Sequence, residues 1–336
     1  MKTLYLKSNE TQKAAEIIKN GGIVAIPTET VYGLAANTFN EESVKKIFLA
    51  KGRPSDNPLI VHIAEINDIY RIVSDFPNKA KKLAEKFWPG PLTMILPKKS
   101  VIPSAVTASM NSVAVRFPSH LSAQEIIKKS GVPLVAPSAN SSGSPSPTNA
   151  NHVLKDLNGK IDAVLDGGEC SVGLESTVIS LVEEIPRLLR PGAVTPDEIR
   201  ETIGDIIIDN SVYSKLDPNT KAISPGTKYK HYSPKAKVIL IKASSEKYIE
   251  FVNSKFSENL LALCFDEDIS RLKVPYISYG SKNNYSFQAK KLFESLRKAD
   301  EKEVSIIYAH ACATEGIGIA VYNRLIRAAG FDVLEL

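Results

Sequence analysis

The sequence predicts an α/β protein with two folded domains. Short runs rich in β-branched residues alternate with segments whose apolar residues recur at helical spacing, which is typical of sheets covered by helices. The chain has 336 residues, of which 43% are hydrophobic and 24% charged, and this is enough for two ordinary hydrophobic cores. A polar stretch at 209–236, rich in turn residues, predicts a linker between the domains.

The first domain is predicted at 1–208, where strand-like and helical segments are interleaved. Strands are predicted at 23–26, 59–63, 92–96, 113–117 and 132–136, and helices at 14–19, 44–50 and 80–87. From residue 161 the pattern is mostly strand, at 161–165, 177–182 and 187–189. Thr195 followed by Pro196 then predicts the start of a short helix, because threonine caps helices and proline is favoured in the first turn.

The second domain is predicted at 237–336, where strands and helices alternate. Strands are expected at 238–241, 260–265 and 304–308, and helices at 246–256, 285–299 and 319–329. Such alternation favours a small parallel sheet wrapped by helices. The turn with Gly316 and Gly318 lacks the third glycine of a dinucleotide-binding loop. We therefore interpret it as a tight turn without a ligand.

Composition limits the classes of function. The 42 lysines and arginines exceed the 37 acidic residues by only five, which fits a small anionic substrate at least as well as bulk nucleic acid. Cys170, Cys264 and Cys312 lie far apart, so neither a disulfide framework nor a zinc cluster is indicated. No apolar run approaches the roughly 18 residues that span a bilayer. A soluble, cytoplasmic protein is expected.

Two polar segments are candidates for binding anions. The stretch 132–148 ends in a loop of serines with four prolines, and such a stiffened loop could hold hydroxyls and amides towards an oxyanion. It could equally be a plain flexible loop. Lys51 and Arg53 flank a glycine before a proline-stiffened turn, an arrangement that suits phosphate oxygens. The alternative there is a solvated basic turn.

Charged and hydroxyl side chains also occur at or near strand ends. Thr28, Thr30 and Tyr32 follow a predicted strand, where they could orient a polar substrate or cap the next helix. Arg116 lies in an apolar strand, so it needs either an anionic ligand or a structural ion pair. His62 lies in another apolar strand, where a core role is the ordinary expectation. Glycine, hydroxyl and charge also combine at 166–168, 173–177 and 189–193.

Together these motifs resemble those of the L-threonylcarbamoyladenylate synthases, in the long form that joins a YrdC-like catalytic domain to a C-terminal accessory domain. The resemblance rests on PTETVYGL at 27–34, KGRP at 51–54 with NPL at 57–59, PGPLT at 89–93, VRFP at 115–118, APSAN at 136–140 with SG at 142–143, EST at 175–177, RPG at 190–192 and SPGTKYKHYSP at 224–234. It implies a twisted mixed sheet in the first domain and a small Rossmann-like second domain. Thr227 departs from the methionine of many relatives.

The resemblance implies a nucleotidyltransferase that forms threonylcarbamoyl-AMP and diphosphate from L-threonine, bicarbonate and ATP, for N6-threonylcarbamoyladenosine at tRNA position 37. A threonine carbamate would attack the α-phosphorus of ATP. Both partners are anionic, so the site needs cations and hydrogen-bond donors more than a nucleophile. The sequence fits this demand, because it lacks the Ser-His-Asp order, HExxH and the GxxxxGK[ST] phosphate loop.

The resemblance also assigns residues to substrates. ATP contacts are expected from Lys51, Arg53, Asn57, Ser112, Ser138, Asn140, Ser146, Arg190 and His231, the last from a linker folded over the nucleotide. Threonine contacts are expected from Thr30, His62, Arg116, Ala136 through its backbone, and Ser176. Catalytic roles are expected for Lys51, Arg53 and His62. His62 is the one conspicuous candidate for a proton acceptor, although orienting threonine could be its whole role.

Magnesium bound through the ATP phosphates, rather than by protein side chains, is the expected cofactor. A separate tRNA threonylcarbamoyl transferase complex would receive the product, and a weak contact with tRNA is compatible with the basic linker. There are two alternatives. A non-enzymatic RNA-binding module would use that linker for stacking and charge. A hydrogenase-maturation carbamoyltransferase should carry paired-cysteine zinc motifs and an acylphosphatase-like region, and this chain has neither.

Overall fold

The computed structural model describes residues 2–215, 232–256 and 259–336. These residues form two β-sheets covered by helices, so the predicted α/β class is confirmed. The first sheet is mixed and has eleven strands, and the second is parallel and has five. No helix in the described part of the chain is long and apolar enough to cross a membrane.

The mixed sheet has the spatial order β1-β8-β2-β3-β7-β4-β6-β5-β9-β10-β11. Its strands are β1 (Leu4–Leu6), β2 (Val24–Ile26), β3 (Gly33–Asn37), β4 (Ile60–His62), β5 (Leu92–Pro97), β6 (Ser112–Arg116), β7 (Leu134–Val135), β8 (Ala163–Leu165), β9 (Thr177–Ser180), β10 (Arg187–Arg190) and β11 (Ile207–Ile208). Its helices are α1 (Thr11–Lys19), α2 (Glu41–Lys51), α3 (Ile69–Ile72), α4 (Asn78–Phe87), α5 (Ser104–Thr107), α6 (Leu121–Ser130), α7 (Ala150–Leu157) and α8 (Pro196–Ile203).

Helix α2 shows how local sequence places a site residue. The side chain of Asn40 caps its first turn by accepting a hydrogen bond from the Ser43 N–H at 3.1 Å. Gly52 ends the helix with a left-handed φ of 60°, a conformation that glycine adopts at little cost. Lys51 is therefore the last helical residue, and Arg53 begins the turn that follows. Helix α8 begins as predicted, because Thr195 and Glu198 form a capping box there.

The centre of the mixed sheet brings two charged or polar side chains together. Strands β4 and β6 run parallel, and His62 is directly opposite Arg116 in their register. Val61 and Val115, one residue earlier on each strand, are fully buried in the main hydrophobic core. Because successive side chains of a strand point to opposite faces, His62 and Arg116 share the face opposite to that core.

The second sheet has the order β14-β13-β15-β12-β16. Its elements are β12 (Lys237–Lys242), α9 (Ser245–Ser254), β13 (Leu260–Cys264), β14 (Tyr276–Ser278), α10 (Tyr285–Asp300), β15 (Ile306–His310), α11 (Gly318–Ala328) and β16 (Val333–Glu335). Strands β14 and β16 are absent from the sequence prediction, because three-residue strands give too short an alternation to recognise. Gly316 has a φ of 50° in the turn before α11, as a tight turn requires.

The two sheet-bearing regions pack against each other through buried groups. Val31 and Leu174, from the mixed-sheet region, belong to the same hydrophobic cluster as Leu292 and Leu325. Arg297 of α10 forms a two-pronged ion pair with Asp156 of α7, at 3.0 and 2.9 Å. The predicted domain bounds, 1–208, 209–236 and 237–336, stay a prediction, and residues 216–231 of that linker lie outside the described residues.

Candidate active site

A cavity opens beside the β4–β6 pair, where several separate segments of the chain meet. Its empty space is about 660 Å³, including the part open to solvent. The lining residues are Thr28, Thr30, Val31, Gly33, Arg53, Pro58, Leu59, Ile60, His62, Arg116, Ala136, Pro137, Ser138, Asn140, Ser144, Ser146, Glu175, Ser176, Arg190 and Tyr232. All five predicted threonine contacts line this cavity.

Arg116 is 4% exposed and lies at the floor of the cavity. Its Nη1 donates a hydrogen bond to Thr30 Oγ1 at 2.8 Å. Its Nη2 is 2.8 Å from Glu29 Oε1, although the angles are not those of a hydrogen bond. The structural ion pair considered for Arg116 therefore exists. The guanidinium nevertheless lines the cavity, so it can also meet an anionic ligand there.

His62 is a neutral imidazole. Its Nδ1 lies 3.2 Å from the carbonyl oxygen of Ile60, and because a carbonyl can only accept, Nδ1 carries the proton and Nε2 keeps a lone pair. Burial, followed by the charge of Arg116, lowers the pKa of His62 to about 3. A pKa this low makes His62 a weak proton acceptor at neutral pH, but Nε2 can still accept a hydrogen bond.

The threonines after β2 have separate roles. Thr28 Oγ1 donates to the Val31 carbonyl at 2.6 Å and lies 2.8 Å from Thr30 Oγ1, so Thr28 shapes the turn that presents Thr30. The alternative that these hydroxyls cap a following helix is wrong, because the next element is strand β3. The Tyr32 hydroxyl donates to the Gly168 carbonyl at 2.8 Å, and Tyr32 is not among the lining residues.

Lys51 is buried behind the cavity rather than in it. Its Nζ donates to the carbonyls of Ser138 and Asn140 and lies 3.4 Å from Asn140 Oδ1. Burial, followed by repulsion from Arg53, lowers the pKa of Lys51 well below its usual value. Lys51 thus anchors the loop 136–148. Arg53 lines the cavity, and its Nη2 donates to the Pro58 carbonyl at 3.2 Å.

The loop 136–148 is held by its own polar groups as well. Asn140 Nδ2 donates to the carbonyls of Ser141 and Ser144, each at 2.9 Å. The Ser146 hydroxyl donates to Glu175 Oε1. These contacts favour the interpretation of a stiff loop over that of a flexible one.

Ser176 and Arg190 form another wall of the cavity. Arg190 Nε donates to the Ser176 carbonyl at 3.0 Å and Nη2 donates to Ser176 Oγ at 3.1 Å, while Ser176 Oγ also lies 2.7 Å from Thr93 Oγ1. Burial lowers the pKa of Arg190 to about 10, so the guanidinium stays charged at neutral pH.

Three predicted ATP contacts lie outside the cavity lining. Besides Lys51, Ser112 borders a small neighbouring depression that shares Pro58 and Leu59 with the cavity. Asn57 is 1% exposed, and its Oδ1 has no hydrogen-bond partner among the described residues. A fourth, His231, lies outside the described residues.

Glu175 and Tyr232 are among the lining residues that sequence reasoning did not assign to a substrate. Glu175 was part of a recognised motif, but a carboxylate in an anion-binding site is unexpected until its cationic partners are known. Those partners are Arg324 and Arg190. Burial by itself raises the pKa of Glu175, yet the charges of Arg324 and Arg190 hold it below its usual value. Tyr232 lies in the recognised linker motif, and no spacing rule places its ring against the cavity.

The described residues contain no group of three or more His, Cys, Asp or Glu side chains arranged to hold a metal ion. The oxygen of Asn57 is the kind of hard ligand that magnesium prefers, and it lies next to Pro58 of the cavity wall.

Two family models match the chain. The first, for the Sua5/YciO/YrdC family and described as "Telomere recombination", covers residues 16–192. The second, described as "Threonylcarbamoyl-AMP synthase, C-terminal domain", covers residues 194–330. Together they cover most of the chain and include all the lining residues.

Similar proteins are found over the full length. A threonylcarbamoyl-AMP synthase of Pyrococcus abyssi is 44% identical, with 96% of this chain and 95% of the relative covered. One from Bacillus subtilis is 43% identical, with 98% and 96% covered. The crystal structure of P. abyssi Sua5 complexed with L-threonine superposes with a TM-score of 0.91 at 41% identity, over the whole of both chains.

Proposed function

Because this chain belongs to the threonylcarbamoyl-AMP synthase family, in the form with two domains, we propose a division of its cavity into a threonine half and an ATP half. The chain is an enzyme of tRNA processing whose activity is the formation of threonylcarbamoyl-AMP. The proposal concerns which side chains bind each substrate and what they do in the reaction.

The threonine half is proposed around Arg116, and the contact of Arg116 with Thr30 beside His62 is the observation that carries it. The guanidinium would bind the threonine carboxylate. His62 Nε2 would accept a hydrogen bond from the substrate and thereby orient it. Ser176 and the backbone of Ala136 would complete this half. The P. abyssi relative, solved in complex with L-threonine, supports threonine as a substrate.

The ATP half is proposed on the rest of the lining. Arg53 and Arg190 supply two charged guanidinium groups, and the loop anchored by Lys51 supplies the hydroxyls of Ser138 and Ser146. Asn140 lines the same region, Asn57 precedes Pro58 of the lining, and Ser112 borders the neighbouring depression. His231 is proposed to reach the nucleotide from the linker.

In the proposed reaction the threonine amine adds to bicarbonate and loses water, giving a carbamate. The carbamate oxygen then attacks the α-phosphorus of ATP, the bond from that phosphorus to the bridging oxygen breaks, and diphosphate leaves. This makes the enzyme a nucleotidyltransferase. Negative charge accumulates on the phosphoryl oxygens in the second step, so fixed cations and donors lower the barrier by charge stabilisation and positioning. No protein nucleophile is needed.

Magnesium is proposed to enter with ATP and to neutralise its phosphates, with Asn57 as a nearby hard ligand. The adenylate would then pass to a separate tRNA threonylcarbamoyl transferase complex. A cytoplasmic location and a weak contact with tRNA stay predictions. The alternatives of an RNA-binding module and of a hydrogenase-maturation carbamoyltransferase give way to the family assignment.

Diphosphate release tests the substrate requirement. The purified full chain is incubated with ATP, magnesium, bicarbonate and threonine, and each component is omitted in turn. We expect release to require all of them. Release that is unchanged when threonine is omitted would refute the proposal, because the enzyme would then merely hydrolyse ATP.

A further inference from the structure

The second domain reaches the wall of the cavity through one buried side chain. Arg324 of α11 is fully buried. Its Nε donates to Glu175 Oε2 at 2.9 Å, its Nη2 donates to the Glu175 carbonyl at 3.2 Å, and its Nη1 donates to the Pro191 carbonyl at 2.7 Å. A single guanidinium therefore holds the segments that carry Ser176 and Arg190, although Arg324 itself does not line the cavity.

A third wall segment is tied to the same group through Glu175. While Oε2 of Glu175 accepts from Arg324, its Oε1 accepts from the Ser146 hydroxyl. Ser146 is fully buried and belongs to the loop 136–148. The chain of contacts runs from α11 in the second domain, through one carboxylate, to a hydroxyl of the ATP half.

Charge gives this arrangement a second consequence. Glu175 lines the cavity, and an ionised carboxylate there would oppose an anionic substrate. Arg324 Nε lies 2.9 Å from that carboxylate and offsets its charge. If Arg324 were neutral, the charge of Arg190 would have to balance that of the buried carboxylate, since a buried charge without a partner is costly. The positive charge that Arg190 presents to the cavity would then be reduced.

We infer that Arg324 is a positioning residue for the nucleotide: through Glu175 it fixes Ser146 and the segment 190–191, and it preserves the positive charge of Arg190. The inference rests on the proposed function, because that function assigns Ser146 and Arg190 to ATP. It gives the second domain a part in substrate binding that a merely attached accessory domain would lack.

A matched control lies one turn further along the same helix. Arg327 is 5% exposed and donates across the same interface to the Ser211 carbonyl at 2.7 Å. Ser211 does not line the cavity. Arg324→Gln and Arg327→Gln each remove a buried arginine from the interface between the domains, but only the first removes the hydrogen bonds to Glu175 and Pro191.

The test measures ATP binding by calorimetry without threonine, together with the KM values for ATP and threonine and the melting temperature, for the full chain and its variants. We expect Arg324→Gln to weaken ATP binding by about tenfold to a hundredfold, the range that corresponds to losing one charge-assisted hydrogen bond to the nucleotide, while the KM for threonine changes much less. Arg327→Gln should lower the melting temperature similarly but leave ATP binding near the wild-type value.

The double variant Glu175→Gln with Arg324→Gln separates charge from packing. The glutamine that replaces Glu175 still accepts from Ser146 but carries no charge, so ATP binding should recover part of the loss seen in Arg324→Gln. If Arg324→Gln does not fold, ATP binding is measured for this double variant and for Arg324→Lys instead. Lysine keeps the charge but cannot hold Glu175 and Pro191 together, so its ATP affinity should fall between those of the wild type and the double variant.

Equal losses of ATP affinity in Arg324→Gln and Arg327→Gln would overturn the inference, because the role would then be general docking of the domains. Wild-type ATP affinity in folded Arg324→Gln, or in folded Arg324→Lys if the former does not fold, would overturn it as well. A different result would refute the proposed function: the wild type would then form no adenylate, regardless of how the variants bind ATP.

Discussion

His62 and Arg116 lie directly opposite each other on the parallel strands β4 and β6, on the face of the sheet that turns away from the main core. The charge of Arg116 helps to keep His62 neutral, and both side chains line one cavity. This pairing places a fixed cation beside a hydrogen-bond acceptor. An amino acid presents the complementary pair, a carboxylate beside an ammonium group.

The first prediction concerns Arg116. Arg116→Lys keeps the positive charge but loses the planar fork that binds a carboxylate with two donors. We expect the KM for threonine to rise by about tenfold or more, in line with the strength of charge-assisted hydrogen bonds, while ATP binding changes little. Steady-state kinetics with each substrate varied in turn would measure this. An unchanged KM for threonine would remove Arg116 from the threonine half.

His62 is predicted to orient threonine rather than to transfer a proton. Its pKa of about 3 means that its protonation does not change between about pH 6 and pH 8. The pH profile of kcat/KM should therefore show no ionisation that disappears in His62→Gln. Glutamine can still accept a hydrogen bond, so the variant should keep more activity than the loss of about a hundredfold or more that follows removal of a general base. A lost ionisation near about pH 6.5, the ordinary range of histidine, would contradict this role.

Lys51 is predicted to act through the loop that it anchors. Lys51→Met leaves the carbonyls of Ser138 and Asn140 without their donor, so the loop should loosen and ATP binding should weaken by about tenfold. Lys46→Met is the control, because Lys46 lies on the same helix and donates to the Gly21 carbonyl away from the cavity. ATP titrations would compare the two variants. Equal affinities would show that the anchor does not matter for the nucleotide.

Acid sensitivity of the fold is predicted from two histidines. Burial comes first among the causes that lower the pKa of His62 to about 3 and that of His152 to about 4. Between about pH 6.5 and pH 4 the unfolded chain takes up protons at these positions while the folded chain does not, so the free energy of unfolding falls as the pH falls.

His152→Gln tests this acid sensitivity without changing a residue of the cavity lining. The variant should lose less stability than the wild type between about pH 7 and pH 5, because one histidine with a lowered pKa is gone. Each such histidine contributes at most about 1.4 kcal/mol per pH unit. Urea unfolding at the two pH values would measure the difference. The same loss in both proteins would contradict the assignment.

The sequence could predict the elements whose apolar residues repeat clearly. The helices around 44–50 and 285–299 and the strands around 92–96 and 260–265 are where expected. Strand β3 was not predicted, because Gly33–Asn37 contains glycine, leucine, alanine and asparagine but no β-branched residue. Strands β14 and β16 are too short for alternation to show.

Residue types in the sequence pointed to the side chains around the cavity, but they did not predict which of them contact each other. The sequence analysis recognised the loop of serines and prolines, the two cations that flank Gly52, and Arg116 in its apolar strand. The partners were not predictable, because they depend on the fold: Lys51 meets the loop 136–148, and Glu175 meets Arg324, 149 positions later in the chain. No local pattern specifies a contact between residues so far apart.

Direct identification of the product tests the central claim. The full chain is incubated with ATP, magnesium, L-threonine and ¹³C-bicarbonate, and the nucleotides are separated and weighed by mass spectrometry. The account predicts threonylcarbamoyl-AMP whose mass increases by one ¹³C atom, together with an equal amount of diphosphate. AMP and diphosphate formed without a nucleotide that carries both threonine and the labelled carbon would contradict it.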